Sequence, residues 1–285
     1  MNKKTPRLSR RLSGRVLLAA AIIVMLFSLF FPVAVMISVS LKETNEVFST
    51  PVTWIPEVVR WDNYITVFKK MDILSGFKNS AIVAFGTIIA IMMIAIPAAY
   101  ALSKLKFRFK PVLYYIVLIS QMFAPIVVVI PLYQLMNKWG LLDTHISLIM
   151  MNVTFNLAFI VLMLKSTFDS VPTETIEAAT IDGCTRFQTL TRIITPISAT
   201  GIAVAVIFVF TRTWNEFLFA FTFISSNANK TIIVKLYEIL KNNPAIGIPW
   251  NLVMAGAVLT TIPLVILFIC IRNYITGDAT KGAIK

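Results

Sequence analysis

Six apolar runs, each about long enough to cross a bilayer, constrain this chain more than any other feature. A membrane-spanning helix needs about 20 predominantly apolar residues. Runs of that kind cover residues 16–39, 79–102, 112–135, 146–164, 201–223 and 250–271. Of the 285 residues, 58% are hydrophobic, against roughly 45–50% in a soluble domain. The fold class this implies is an all-α membrane protein with six transmembrane helices.

The net charge is +13, which by itself would admit a nucleic-acid partner. The cations instead form short clusters beside apolar runs, which is how membrane topology is set. The expected partner surface is therefore the lipid bilayer, and no nucleic acid. Residues 1–15 carry Lys3, Lys4, Arg7, Arg10, Arg11 and Arg15 and no acid. The run that follows is too long for a signal peptide of 7–15 apolar residues, so it reads as a first span, with Pro32 expected to kink it. Lys104, Lys106, Arg108 and Lys110 form a basic turn between the second and third runs. The positive-inside rule puts both clusters in the cytosol, and an even number of spans then puts both termini there. The organisation is a basic N-terminus (1–15), a spanning domain (16–271) and a cytosolic tail (272–285). Residues 43–77 form an outer loop, with Trp54 and Trp61 suited to the interface. Cys184 and Cys270 are expected as free thiols.

Polar residues inside apolar runs mark candidate sites. Pro125 and Pro131 are expected to break the third run near its outer end. Asn152 and Asn156 share one face of the fourth, where such groups either bond a neighbouring helix or line a cavity. The fifth run holds Arg212, Asn215 and Glu216. Arg212 and Glu216 have the spacing of an intrahelical ion pair, and charges there face a bundle interior or a water-filled path. Asn152, Asn156, Trp214, Asn215 and Glu216 are thus the candidate substrate path. His145 is the only histidine and reads as a solvated or interfacial side chain, so no metal site is expected. Gly277 and Gly282 have the spacing of a P-loop, but Ala283 stands where its Lys would be. No nucleophile–base pair is evident. The chain reads as non-catalytic, binding no cofactor itself.

Residues 171–196 form the longest polar interruption that keeps helical periodicity. Pro172 and Glu174 suit a first helical turn, Glu177, Ala178 and Ala179 continue it, and Asp182-Gly183 stops it. Thr185 and Gln188 have the spacing of a capping box. Phe187, Leu190, Ile193 and Ile194 are expected on one face of the second helix, and Pro196 closes the unit. This is a knob built to sit in a socket on another protein.

Glu177-Ala178-Ala179, Gly183, Ile193 and Pro196, at these spacings, resemble the EAA loop of ABC-importer permeases. With Asp182 and Arg192 the pattern looks like the carbohydrate-uptake, MalG-like branch, although Thr195 stands where the family more often has Leu. NSAIVAF, AAYALSKLKFRFK, PLYQLMNKWGLLDT and TWNEFLFAFTF are also similar to the family, so the resemblance covers nearly the whole chain. It implies the ABC-importer permease fold in a bacterial or archaeal cytoplasmic membrane. It implies ATPase coupling through Glu177, Ala178, Ala179, Asp182, Gly183, Phe187, Ile193 and Pro196. A further contact is implied through tail residues Gly277, Lys281 and Gly282. The implied partners are a second, MalF-like permease, two ATPase subunits that hold ATP and Mg, an extracytoplasmic solute-binding protein, and a sugar or oligosaccharide. The alternative is an ion-coupled secondary carrier using Arg212 and Glu216. No internal repeat of the kind carriers show is evident, and the knob would be left without a purpose.

Overall fold

The structure is a computed structural model of the chain and describes residues 6–70, 72–241 and 248–281. Among these residues every regular element is helical. In chain order they are α1 (Pro6–Ser40), α2 (Thr44–Val47), α3 (Asp62–Lys70), α4 (Ile73–Lys104), α5 (Lys110–Ser120), α6 (Pro125–Lys138) and α7 (His145–Asp169). Then come α8 (Thr173–Ile181), α9 (Arg186–Gln188), a π-helical segment Thr189–Ile194, α10 (Thr195–Ile197), α11 (Ala199–Trp214), α12 (Leu218–Phe223), α13 (Ile232–Lys241) and α14 (Trp250–Lys281).

Helices α1, α4, α7 and α14 contain apolar stretches long enough to span a membrane. Two bent pairs bring the number to six if each counts as one span. These are α5 with α6, bent by 96°, and Arg186–Ile197 with α11, bent by 81°. One expectation needs correction. The break in the third run falls before Pro125, which opens α6, while Pro131 lies inside that helix. The sixth apolar stretch, Trp250–Arg272, falls where expected, and its helix α14 continues to Lys281.

The chain divides into two compact units, Met1–Met71 with Ile239–Leu259, and Asp72–Glu238 with Thr260–Lys285. In the first, the side-chain amide of Asn63 donates to the carbonyls of Ser40 (2.9 Å) and Lys42 (2.8 Å), closing the end of α1. Arg60 pairs with Glu43 at 2.9 Å. In the second, α4 and α7 pack together along their length and α11 lies against both. Their shared core includes Ile91, Ala95, Ile160, Leu164, Phe168 and Val209. Small residues allow the close approach, as is usual between membrane helices. A side chain at Gly201 would fall on Thr167 of α7.

At the end of this unit remote from residues 171–196, polar side chains hold the connection after α12. Asp143 Oδ1 accepts from the backbone N–H groups of Ser225 (3.1 Å) and Ser226 (3.0 Å) and from the Ser226 hydroxyl (2.9 Å). Asn79 donates to the carbonyls of Ala228 and Lys230 at 2.7 and 2.9 Å. The Lys235 ammonium, itself buried, pairs with Asp72 at 2.9 Å. His145, expected to be solvated or interfacial, is half-buried at the start of α7.

Burial pushes the Asp143 carboxyl up, but the hydrogen bonds from Ser226 and Ser225 outweigh it and leave the group below the ordinary carboxylate range. A lowered folded-state pKa contributes stability that is complete above the unfolded value, about 3.9, and is lost as pH falls through the folded value. The amides of Ser225 and Ser226 should therefore keep their hydrogen-exchange protection at about pH 4 and lose it only below. Asp143→Ala should remove that protection at neutral pH. Equal protection in the variant would show that the carboxylate does not hold this connection.

Candidate functional site

The knob of residues 171–196 is built by three local devices. Helix α8 ends in a Schellman motif: the N–H of Cys184 donates to the Ala179 carbonyl (3.0 Å) and that of Gly183 to the Thr180 carbonyl (3.1 Å). Gly183 takes φ +80°, which only glycine adopts without cost. The chain restarts at once with a full capping box. Thr185 Oγ1 accepts from the Gln188 N–H (3.3 Å), and the Gln188 side-chain oxygen accepts from the Thr185 N–H (2.9 Å). The π-helical segment follows, and the Thr195 hydroxyl donates to the Leu190 carbonyl at 2.8 Å, five residues back. Thr195, which departs from the resembled pattern, thus satisfies a carbonyl of the widened turn.

The knob is part of the helical core. Ala179, Leu190 and Ile194 are buried, the last two in one cluster with Tyr100, Leu102 and Phe168. Its base is tied down by polar bonds. Asp169 accepts from the Ser103 hydroxyl and from Lys165, both at 2.6 Å, and Lys104 donates to the Val171 carbonyl at 2.6 Å. The outward surface carries Glu177, Ala178, Asp182 and Gly183. Phe187 is not on the face with Leu190 and Ile194 but is 73% exposed, and Ile193 is half-buried. The 3.6-residue register that grouped them does not hold across a π-helical turn. Pro196 is exposed beside the 81° bend. Sequence reading missed Ile181, which is 86% exposed. An isoleucine directly before the Asp-Gly stop, two positions from buried Ala179, was the available signal.

The fifth run is not one helix. It breaks at residues 215–217, between α11 and α12, and Trp214-Asn215-Glu216 closes the break. The Asn215 amide donates to the Thr211 carbonyl (2.8 Å), finishing α11. The Glu216 carboxylate accepts from the N–H groups of Phe219 (2.7 Å) and Ala220 (3.0 Å), starting α12. The expected Arg212–Glu216 ion pair is not among the bridges of the described residues. The break after Trp214 removes the continuous helix that would have aligned them. Arg212 lies instead over the Phe208 ring, 5.2 Å from its centre.

Asn152, Asn156, Asn215 and Glu216 line one cleft of about 580 Å³, together with Gln121 and Arg212. The amide nitrogens of Asn152 and Asn156 bond carbonyls four residues back at 2.9 and 2.8 Å. Their amide oxygens have no partner among the described residues. Phe155, Phe159 and Phe208 supply aromatic wall, the last two stacked at 4.4 Å. The bend between α5 and α6 opens onto the same cleft through Ser120, Gln121 and Phe123. Trp214 does not line it. Its ring is buried, stacks on Phe210 at 5.2 Å and donates to the Thr260 carbonyl at 3.1 Å. Gly277 and Lys281 lie in the last turns of α14, and Gly282 is outside the described residues. Among the described residues no group of His, Cys, Asp or Glu could hold a metal ion.

Irregular backbone within apolar runs that opens onto a polar cleft is the architecture of a transporter. The pattern of the family described as binding-protein-dependent transport system inner membrane component matches residues 91–278. The chain belongs to this family. Relatives of the same permease type match almost end to end. An inner membrane ABC transporter permease of Escherichia coli, YcjP, is 31% identical over 97% of this chain and 99% of its own. The trehalose/maltose transport system permease MalG of Thermococcus litoralis is 33% identical over 95% and 97%. The sulfoquinovosyl glycerol transport system permease SmoH of Agrobacterium fabrum is 30% identical over 99% and 98%. Among solved structures, a bacterial ABC transporter involved in alginate import superposes with a TM-score of 0.79, at 21% identity and over 96% of this chain and 99% of its own. This permease is thus an integral membrane transport subunit of an ABC importer rather than an enzyme. Membership decides against the ion-coupled carrier.

The role of Glu216 as a cap predicts a specific order of effects. Glu216→Ala should destabilise the purified permease complex by about 0.5–2 kcal/mol, the usual cost of a lost cap, and slow transport. Glu216→Gln, which keeps one acceptor, should lie between. Adding Arg212→Gln should rescue neither in thermal unfolding; rescue would restore the ion pair.

Proposed function

We propose that this permease forms, with a second MalF-like permease, the translocation path for a sugar or oligosaccharide, and that the cleft at Asn152, Asn156, Asn215 and Glu216 belongs to that path. The observation that carries the reading is the meeting of two broken helices at a cleft lined by amides, one carboxylate and phenylalanine rings. Sugars present hydroxyls that need amide and carboxylate partners, and apolar ring faces that pack on aromatics. The names of the trehalose/maltose and sulfoquinovosyl glycerol permeases support the same substrate class. An extracytoplasmic binding protein delivers the solute. Two separate ATPase subunits hold ATP and Mg.

Coupling to the ATPases runs through residues 171–196, with Ile181 and Phe187 as apolar anchors beside Glu177, Asp182 and Gly183. Large exposed apolar side chains on a short rigid unit suit burial in a partner's pocket. The last turns of α14 and the residues beyond make a second contact, through Gly277, Lys281 and Gly282. In this arrangement the knob and both termini face the cytosol of a bacterial or archaeal cell.

Phe187→Ser and Gly183→Pro should each abolish solute-stimulated ATPase activity of the reconstituted importer while leaving expression intact. Phe187→Ser acts by removing an anchor, and Gly183→Pro by destroying the helix stop, since proline is locked to negative φ. Normal stimulated activity in both variants would rule out the knob as the coupling element.

A further inference from the structure

We propose that the basic turn between α4 and α5 is a binding site for an anionic phospholipid of the inner leaflet. The turn joins the same end of the bundle as the knob, since Lys104 bonds the Val171 carbonyl. Its side of the membrane therefore rests on the cytosolic reading of the knob.

Lys106 and Arg108 are exposed and have no partner among the described residues. They interleave with Phe107 and Phe109, 36% and 65% exposed, in a non-helical stretch. Cations alternating with exposed rings match the boundary between headgroups and acyl chains. Beside the turn is a pocket of about 350 Å³ lined by Lys110, Lys165, Tyr114, Tyr115, Leu102 and Pro111. Lys110 spends two donors on the carbonyls of Ser103 (3.0 Å) and Leu105 (3.3 Å), leaving a third. Lys165 is tied to Asp169 at 2.6 Å and sits over the Tyr114 ring, 5.6 Å from its centre. The Tyr114 and Tyr115 hydroxyls donate to nothing among the described residues. The carboxylate beside the pocket, Asp169, is already engaged by Ser103 and Lys165. Asp169 thus neutralises Lys165, and what remains is a donor-rich pocket with apolar walls whose uncompensated charge comes from Lys110 and the neighbouring Lys106 and Arg108. A phosphodiester on two acyl chains is the complementary ligand, as for basic pockets between membrane helices generally.

The test uses the assembled importer in nanodiscs of mixed phosphatidylcholine and phosphatidylglycerol, with retained lipids weighed by native mass spectrometry after detergent extraction. The wild type should retain phosphatidylglycerol in preference to phosphatidylcholine. Combining Lys106→Gln, Arg108→Gln and Lys110→Gln should cut that preference about tenfold or more, since each cation near the surface contributes independently. Phe107→Ser with Phe109→Ser should lower retention of both lipids alike. Glycerol phosphate in solution should displace nothing; displacement would reassign the pocket to a soluble anion. Unchanged preference in the triple variant overturns the site. So does a triple variant that keeps its lipid but loses its ATPase subunits, because the turn would then be a protein contact. In intact cells producing the permeases without the ATPase subunits, in a Cys270→Ser background, an impermeant thiol reagent on Cys184 reports the side separately. Labelling from outside overturns the inner-leaflet assignment, whereas labelling from the cytosol without lipid preference overturns the lipid site alone.

Discussion

A backbone group that enters hydrocarbon without a partner is costly, and the fifth apolar run shows how this chain manages that constraint. The helix stops after Trp214 and starts again at Leu218. The groups exposed by the stop are met by Asn215 on one side and Glu216 on the other. Trp214, buried between Phe210 and the Thr260 carbonyl, anchors the last turn before the gap. Three consecutive residues thus do three different jobs, and only two of them also face the cleft.

The cleft and the knob share one scaffold, although they stand at different levels of it. Helix α7 contributes Asn152 and Asn156 to the cleft and Leu164 and Phe168 to the core on which the knob rests. Helix α11 carries the cleft's Thr211 and Arg212 at one end and meets the knob through the bend before Ala199 at the other. The packing of α4, α7 and α11 is therefore the physical link between the place where solute is proposed to pass and the place where force is proposed to enter.

The spans and the knob were legible because they depend on local chemistry. Apolar length reports a span, and Asp182-Gly183 followed by Thr185 and Gln188 reports a stop and a restart in any context. The breaks were less legible. Residues 215–217 contain neither proline nor glycine, and the gap there is maintained by side-chain caps that periodicity does not register. Proline pointed to Pro125 and Pro131, but proline is content in a first helical turn, and the bend lies just before Pro125. Arg212 and Glu216 seemed paired only because a continuous helix was assumed. Phe187 seemed inward only because a π-helical segment leaves no mark on a 3.6-residue count. Trp214 carried an aromatic signal, but nothing in the sequence distinguishes the wall of a cleft from the anchor behind it.

The ties at the base of the knob have a mechanical consequence. Ser103, Lys104 and Lys165 join the ends of α4 and α7 around Asp169 and Val171, and Leu190 and Ile194 are set in the same core. A push on Ile181 or Phe187 meets a stiff body that has little freedom to deform. The helical backbone is interrupted elsewhere, at the 81° bend before Ala199, at the gap before Leu218 and at the 96° bend between α5 and α6. If the knob takes up force as proposed, these joints are where the helices can turn, and two of them line the cleft.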